Sequence, residues 1–516
     1  MTVSVRDSTR WWAAITAGLL AGATVLGVGQ LVAAFIDPAA SPFYALGATV
    51  VDHTPQALKQ AAIRRFGSRD KDALFVSMAA VMAVGAAIIG LFERRRPVGS
   101  ALLVVLGAVV AGAAWQRPTA TALFVLPAVA GTIAGVGVLR FLIQRAPGPA
   151  AVPPGVAEAP GAASRRGFLF AAAGVAALVA GAAVAGRILA TRLHDVVADR
   201  AGFVLPRVRA APPAPAGVEL PVDGITPFRT ASRDFYRVDT ALRLPALLSA
   251  DWSLRIHGMT DRTVEFDFDR LREWTPVERV ITLTCVSNEV GGNLAGTARW
   301  LGYPLAGLLS TAGVHSDADM VLSRSIDGFT AGTPLSAILD GRDALLAIGM
   351  NGEPLPVEHG YPARLIVPGL YGYVSATKWV VDLEITRFDR ARAYWTDRGW
   401  ADRAPIKTAA RIDVPAAFAT LDAGPVTVAG VAWAQHRGID RVEVQVDEQP
   451  WQEATLAAEY SLDTWRQWRW QWQATPGTHT LRVRATDRTG VTQTADRAAP
   501  FPSGSTGWHN RVVTIR

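Results

Sequence analysis

Cys285 is the only cysteine among 516 residues, and it lies near the end of the run "RVITLTCVSN" (279–288). A lone thiol cannot close an intramolecular disulfide, and no "CxxCH" or multi-cysteine set exists to hold a c-type haem or an iron–sulfur cluster. Two roles remain. A single cysteine in a large chain is usually a small buried hydrophobe. As a thiolate it is a soft anionic donor suited to a soft metal ion. Composition alone favours the filler, so the elements around the thiol have to decide.

Those elements read as mixed sequence from about residue 215. "DWSLRIHGMTDRTVEFDFDRLREW" (251–274) has the pattern of a strand, a turn, a second strand and a short helix. The cysteine run is β-rich, "LAGLLSTAGV" is helical, and "DADMVLSRSI" leads into another strand. "ARLIVPGLYGYVSATKWVVDLEITRF" (363–388) gives two strands around a Gly-containing loop, which makes the region an α+β domain. After Pro405 nearly everything alternates at period two. Val442, Val444 and Val446 share one face of a strand and Trp468, Trp470 and Trp472 one face of another, as in an immunoglobulin-like β-sandwich over 405–516. Tryptophans in that arrangement are core or interface residues more often than cofactor contacts.

The N-terminal third is different. Half of the chain is hydrophobic, and the apolar residues crowd the first 190 positions. Trp12–Ile36, Ala73–Phe92, Val98–Trp115, Thr119–Leu139 and Gly167–Ala185 are each near the ~20 residues that cross a bilayer as helix. Their Gly and Ala content suits close packing in lipid. Arg6 and Arg10 precede the first span, Arg94, Arg95 and Arg96 follow the second, and Arg140, Arg145, Arg165 and Arg166 flank the linker before the fifth. Placing these groups in the cytoplasm satisfies the positive-inside rule and puts everything after the fifth span outside. The 37–72 loop, with Lys59, Arg64, Arg65, Arg69 and Lys71, is the exception. The expected order is a four-span region over 1–145, a Pro/Ala/Gly linker over 146–166, and a fifth span or signal anchor over 167–190. The linker ends in "SRRGFLF" (164–170), which resembles a twin-arginine export signal; no small-residue cleavage site follows, so the span is expected to remain as an anchor. The net charge of +7 is spread without long basic runs, which argues against nucleic-acid binding.

Three blocks of sequence resemble the sulfite oxidase family of molybdenum enzymes. "LTCVSNEVGGNLAGTARWLGYPLAGLL" matches that family's cysteine segment, in which a cysteine at a strand end precedes a run carried here by Trp300, Gly302, Leu305, Leu308 and Leu309. "MNGEPLPVEHGYPARLIVPGLYGYVSATKWV" (350–380) is similar to a second, longer block, and "SRDFYRVDTALRLP" (232–245) occupies the place of the first pterin-contacting segment. The C-terminal sandwich looks like the dimerisation domain of many members. The resemblance implies a molybdopterin-binding oxidoreductase domain over 215–395, with Cys285 as metal ligand and catalytic centre. It assigns cofactor contacts to Arg233, Tyr236, Arg237, Ser325, His359, Arg364 and the Ala376–Thr377–Lys378 turn. A guanidinium's planar fork suits the pterin phosphate. The implied activity is two-electron oxygen-atom transfer on a small or sulfur-containing substrate.

The chain also departs from the pattern. Sulfite oxidases carry an "F-F-V-R-N-H" stretch whose arginine holds the sulfite anion, and here the comparable stretch is "FYRVDT" (235–240), closer to the "NFY" of the bacterial methionine-sulfoxide-reductase branch. No tyrosine occurs in 321–349, where the family's active-site tyrosine would stand. Arg237, Arg437 and Arg441 are the candidate substitutes for an anion contact. The first four spans contain no histidine to ligate haem, so the expected single redox centre needs a separate electron partner, a diffusible carrier or a quinone system. Competing readings are a sulfite dehydrogenase proper and a metal-free scaffold that uses its sandwich to bind partners. A transporter is disfavoured because the span centres lack ionisable residues.

Overall fold

A computed structural model describes residues 5–55, 58, 70–94, 97–117, 120–147, 165–208 and 210–516. Lys59, Arg64, Arg65, Arg69, Arg95, Arg96, Thr119, Ser164 and linker residues 148–163 lie outside the described residues. The chain divides into two compact units, one comprising 1–195 with 241–246 and the other 196–240 with 247–516.

The first unit is helical. Its long helices are α1 (Val5–Ala33), α3 (Asp70–Glu93), α4 (Val98–Trp115), α5 (Leu126–Gln144) and α6 (Arg165–Leu193), with a shorter α2 (Pro42–His53) inside the stretch read as a loop. Five helices are long and apolar enough to cross a membrane. The packing centres on α1, whose Ala13, Ala14, Ala17 and Ala21 are fully buried. A Cβ at Gly18 would run into the backbone of α3 at Ala86 and Gly90, and one at Gly131 into the α1 backbone at Val25. Small residues thus let the backbones touch. The fourth apolar span runs Ala122–Gln144, and its α-helix begins with Pro127 in the first turn, where the missing N–H costs nothing. The helix continues past Leu139 to Gln144, so Arg140 lies inside it, where its Nε donates to Ser100 Oγ at 3.2 Å. Ser100 in turn donates through N and Oγ to the Glu93 carboxylate at 2.6 and 2.7 Å.

The second unit begins with α7 (Val196–Gly202) and holds two sheets of five strands before its sandwich. The strands are β1 (Leu254–Gly258), β2 (Val264–Phe266), β3 (Val277–Thr284), β4 (Ala295–Pro304), β5 (Met320–Ser325), β6 (Thr330–Pro334), β7 (Leu345–Met350), β8 (Glu353–Pro354), β9 (Arg364–Ile366) and β10 (Val380–Thr386). One sheet runs β2-β1-β10-β5-β6 and the other β3-β4-β7-β8, with β9 paired to β7. β1 and β10 pair in parallel, Arg255 opposite Asp382, so the domain closes across more than a hundred residues. Trp252, Trp300, Tyr303 and Trp379 fill its core. α7 is fastened at two points: Arg200 Nε donates to the carbonyl of Leu355, just after β8, at 2.8 Å, and Asp199 accepts from the N–H of Ser249, in the turn before β1, at 2.8 Å.

Sequence after residue 405 forms β11 (Ala409–Val414), β12 (Thr420–Leu421), β13 (Gly424–Trp433), β14 (Ile439–Val446), β15 (Gln452–Glu453), β16 (Thr455–Leu456), β17 (Arg466–Ala474), β18 (Gly477–Asp487) and β19 (His509–Ile515). They make the sheets β11-β13-β17-β16 and β12-β19-β18-β14-β15. Val442, Val444 and Val446 are buried between them with Trp468 and Trp472, and Trp470 is partly buried. The alternating tryptophans are core residues, as period two requires.

Candidate active site

The cysteine run becomes β3, a strand buried along its last five residues, and Cys285 is the first residue beyond it. The Cys285 backbone N–H donates to Leu294 O at 2.9 Å, holding the loop closed. Its side chain forms part of the wall of a cleft that encloses ≈ 730 Å³, open mouth included, and is otherwise lined by residues from 235–240, the end of β5 with Asp327 and Phe329 beyond it, the 359–379 segment and Trp395.

Burial raises the Cys285 thiol above its ordinary pKa, while the Ser287 backbone N–H, 3.4 Å from the sulfur, works against that shift. A metal ion binding there would deprotonate the thiol outright.

The cations come from a tight turn. Gly360 has φ +110°, and a side chain there would crowd Arg364 and Lys378, so glycine lets the chain fold back on itself. Arg364 and Lys378 then face each other across a β-bridge. Arg364 is buried and lies 5.2 Å over the Trp300 ring. It donates to the carbonyls of His359 at 3.0 Å and Ala376 at 3.2 Å. Among the described residues no carboxylate pairs with it. Burial lowers its pKa to about 10, so it stays charged near neutrality. A buried guanidinium with only neutral partners suits an anion entering from outside.

Lys378 is mostly covered, its side chain 10% exposed, and its Nζ donates to Asp239 at 2.9 Å and to the Glu358 carbonyl at 3.0 Å. Burial pulls it down to about 8, with Asp239 opposing. His359 falls to about 4 through burial and then the charges of Arg364 and Lys378. It is therefore neutral at pH 7. Its Nε2 lies 3.1 Å from the Ser232 carbonyl, which can only accept, so Nε2 carries the proton. Burial, followed by the Cys285 charge, raises the Tyr236 hydroxyl far above its usual value.

Of the residues singled out in the sequence, Cys285, Tyr236, Ser325, His359, Arg364, Ala376 and Lys378 come together on the wall of one cleft. Three do not. Arg233 sits in a 3₁₀ turn with its side chain 88% exposed, beside Asp234 at 3.5 Å. Arg237 is 43% exposed and is tied to Asp239 at 2.9 Å. Thr377 is buried behind the wall, its hydroxyl 2.7 Å from Ser323 Oγ. The sandwich arginines are also committed: Arg437 pairs with Asp487 at 2.9 Å and Arg441 lies 3.7 Å from Glu443. Sequence reasoning missed Asp239, Asp327 and Trp395, which line the cleft. The sequence signal for Asp239 was its place in the pterin-like segment, one turn past Tyr236.

A second, larger cavity of ≈ 1140 Å³ lies between this domain and the sandwich, lined in part by Thr284, Tyr371, Lys407 and Trp433. It lacks Cys285. Chemistry therefore favours the smaller cleft over the roomier one.

Residues 241–395 match the family described as oxidoreductase molybdopterin binding domain, and residues 409–483 match bacterial Ig domain. Mitochondrial sulfite oxidase of Mus musculus is 28% identical over 313 residues, covering 52% of this chain and 57% of that protein. Nitrate reductase [NADH] 2 of Phaseolus vulgaris is 32% identical over 163 residues, 26% of this chain and 18% of that one. The chain thus spans little more than half the length of the mouse relative. The sulfane dehydrogenase SoxCD from Paracoccus pantotrophus superposes with a TM-score of 0.50 at 22% identity, covering 57% of this chain and 84% of that one. That likeness is one of fold.

Proposed function

Because this chain belongs to the sulfite oxidase family of molybdopterin oxidoreductases, we propose that it is a membrane-anchored, outward-facing enzyme. It transfers an oxygen atom, with two electrons, to or from a small or sulfur-containing substrate. The cofactor is molybdenum held by molybdopterin. The residues present fit that group: a buried soft donor, a buried guanidinium without an acidic partner among the described residues, and a mostly covered ammonium share one cleft. When bound, the cofactor supplies two-electron redox chemistry coupled to oxygen-atom transfer.

The chain's own residues bind and orient. Cys285 would offer thiolate to the metal, and Arg364 and Lys378 would hold the pterin phosphate. His359, neutral and fixed by Ser232, presents an unprotonated Nδ1 that can accept a proton or hydrogen bond. Trp379, locked by its indole N–H to the Val357 carbonyl at 2.9 Å, and Phe235 limit water entry. The five apolar helices act as anchor, and "SRRGFLF" directs export of a folded, cofactor-loaded domain. Electrons pass to or from a separate partner, and the sandwich is available for self-association.

The single observation that carries this reading is Cys285 on the wall of the cleft that also holds Arg364. Elemental analysis and pterin fluorescence on the purified full chain test it, expecting about one molybdenum per chain, the ratio that one Cys285 thiolate sets. Protein made in a cofactor-competent host without metal or pterin would overturn it and leave the scaffold reading ahead.

A further inference from the structure

The cofactor cleft does not end at its own wall. Trp395 lines it, and from Trp395 a line of rings leads away. The Trp395 and Trp400 centroids are 6.1 Å apart, and Trp400 and Phe501 are 5.3 Å apart. Phe501 is 45% exposed. Tyr394 packs edge-on to Trp395 at 5.1 Å, with Arg398 3.6 Å over its ring. Tyr373, a second residue of the cleft wall, meets the same line at Trp400, with ring centroids 5.8 Å apart.

The surface around this line is basic. Residues 387–403 contain five arginines against three aspartates. Arg390 is exposed, and its guanidinium is 3.6 Å from the Met259 sulfur with no carboxylate paired to it among the described residues. Arg392 and Arg403 are 66% and 54% exposed at the side chain, Arg392 paired with Asp397 at 3.1 Å and Arg403 3.9 Å from Asp319, so the excess positive charge of the segment rests on Arg390 and its neighbours. Arg403 also lies 4.5 Å over the Phe388 ring, which keeps both ends of the segment on one face. Aromatic and arginine side chains ringed by charge form the composition of a protein interface.

We propose that this face is the docking surface of an acidic one-electron carrier protein, with Trp395, Trp400 and Phe501 forming the packed route between cleft and carrier. The proposal rests on the oxidoreductase reading. Tunnelling falls off exponentially with distance and faster through water than through packed atoms, so a carrier gains by seating on the shortest packed path. The balance is simple. Oxidation of a substrate by an oxygen atom from water releases two electrons and two protons. The protons go to solvent, and two oxidised carriers in succession each take one electron. For an oxygen-removing enzyme the same steps run backwards. Opposite charge speeds encounter and makes it salt-dependent.

The test uses the full-length, cofactor-loaded chain in detergent, reduced with dithionite and freed of excess. Stopped-flow mixing with oxidised plant plastocyanin, an acidic copper protein, is compared with basic cytochrome c and with the small dye phenazine methosulfate. In the wild type the plastocyanin rate falls as salt rises and the cytochrome c rate does not. In Arg390→Glu with Arg392→Glu the plastocyanin rate drops about tenfold at low salt, as loss of steering predicts, while the dye rate is unchanged. Phe501→Ala lowers the plastocyanin rate at low and high salt alike, again without touching the dye. Equal plastocyanin rates in wild type and both variants would overturn the docking surface. A wild type that stores no electrons for the dye to collect would instead overturn the oxidoreductase reading.

Discussion

The closest contacts in the helical unit are made by groups with almost no side chain, while those around the cleft are made by groups with buried charge. At Gly18 and Gly131 a helix backbone lies against a neighbour's backbone, whereas at Arg364 and Lys378 two cations face each other across a bridge, the first buried and the second with its side chain 10% exposed. Packing of the first kind serves folding alone. Burial of the second kind opposes folding unless a ligand rewards it. Substitutions should therefore separate the two units: in one they change stability, in the other they change chemistry.

The largest effect belongs to Cys285. Cys285→Ser should remove turnover to below about 1% of wild type, because oxygen is a harder donor than thiolate, while far-UV circular dichroism and much of the bound pterin stay as they were. The residue is nearly isosteric, so loss of fold together with activity would show that the thiol serves packing and would erase the contrast. Next is export. Arg165→Lys with Arg166→Lys keeps every charge and so preserves the positive-inside balance, but lysine lacks the planar fork. Protease added to spheroplasts should cut the second unit in the wild type and fail to reach it in the variant. Equal cleavage would mean that these arginines only set topology.

Arg364→Ala should lower cofactor occupancy about tenfold, since a buried charge-assisted bond to the phosphate contributes roughly 1.5–3 kcal/mol. The cofactor-free variant should be no less stable than the cofactor-free wild type, because a buried charge has been removed. Thermal unfolding of the two apoproteins decides it. The helical unit should respond in the opposite sense. Gly131→Leu should destabilise it by about 1–3 kcal/mol through overpacking, without changing molybdenum per folded chain. Gly137 lies on the same helix with nothing within 4 Å of where its Cβ would be; Gly137→Leu should be close to neutral. Equal costs at the two positions would show that α1 and α5 do not pack as described.

Much of this was legible in the sequence because periodicity and local order carried it. Cys285 next to the end of β3 and the alternating valines and tryptophans of the sandwich sit in or beside regular strands. What failed sits where regularity stops. Arg233 falls in the 3₁₀ turn Ser232–Asp234, whose side-chain directions no two- or 3.6-residue period fixes, and it points to solvent. Asp239 was missed because its partner Lys378 is 139 residues away. The end of the fourth span was drawn at Leu139 because hydropathy breaks at Arg140, whereas the helix continues to Gln144.

The smallest effect is a pH dependence whose sign distinguishes an empty cleft from a filled one. Burial has lowered Lys378 from 10.5 to about 8 in the folded chain. Between those values the unfolded chain binds more protons than the folded one, so the stability of the cofactor-free protein should rise with pH across that window. Other groups titrate there too, and comparison with Lys378→Met isolates this one. The wild type should gain on the order of 2 kcal/mol relative to the variant. A bound phosphate reverses the argument. An anion beside Lys378 favours its charged form and lifts the folded pKa toward or above the unfolded one, so the loaded wild type should lose that gain, and its affinity for the cofactor should weaken as pH passes 8. Denaturant titrations of apo and loaded protein at pH 7.5 and 10, steps chosen to bracket the folded value of about 8, read both signs. If loading leaves the pH slope of the wild type unchanged, Lys378 does not face the anion, and the buried charge of this unit would have to be explained by Arg364 alone.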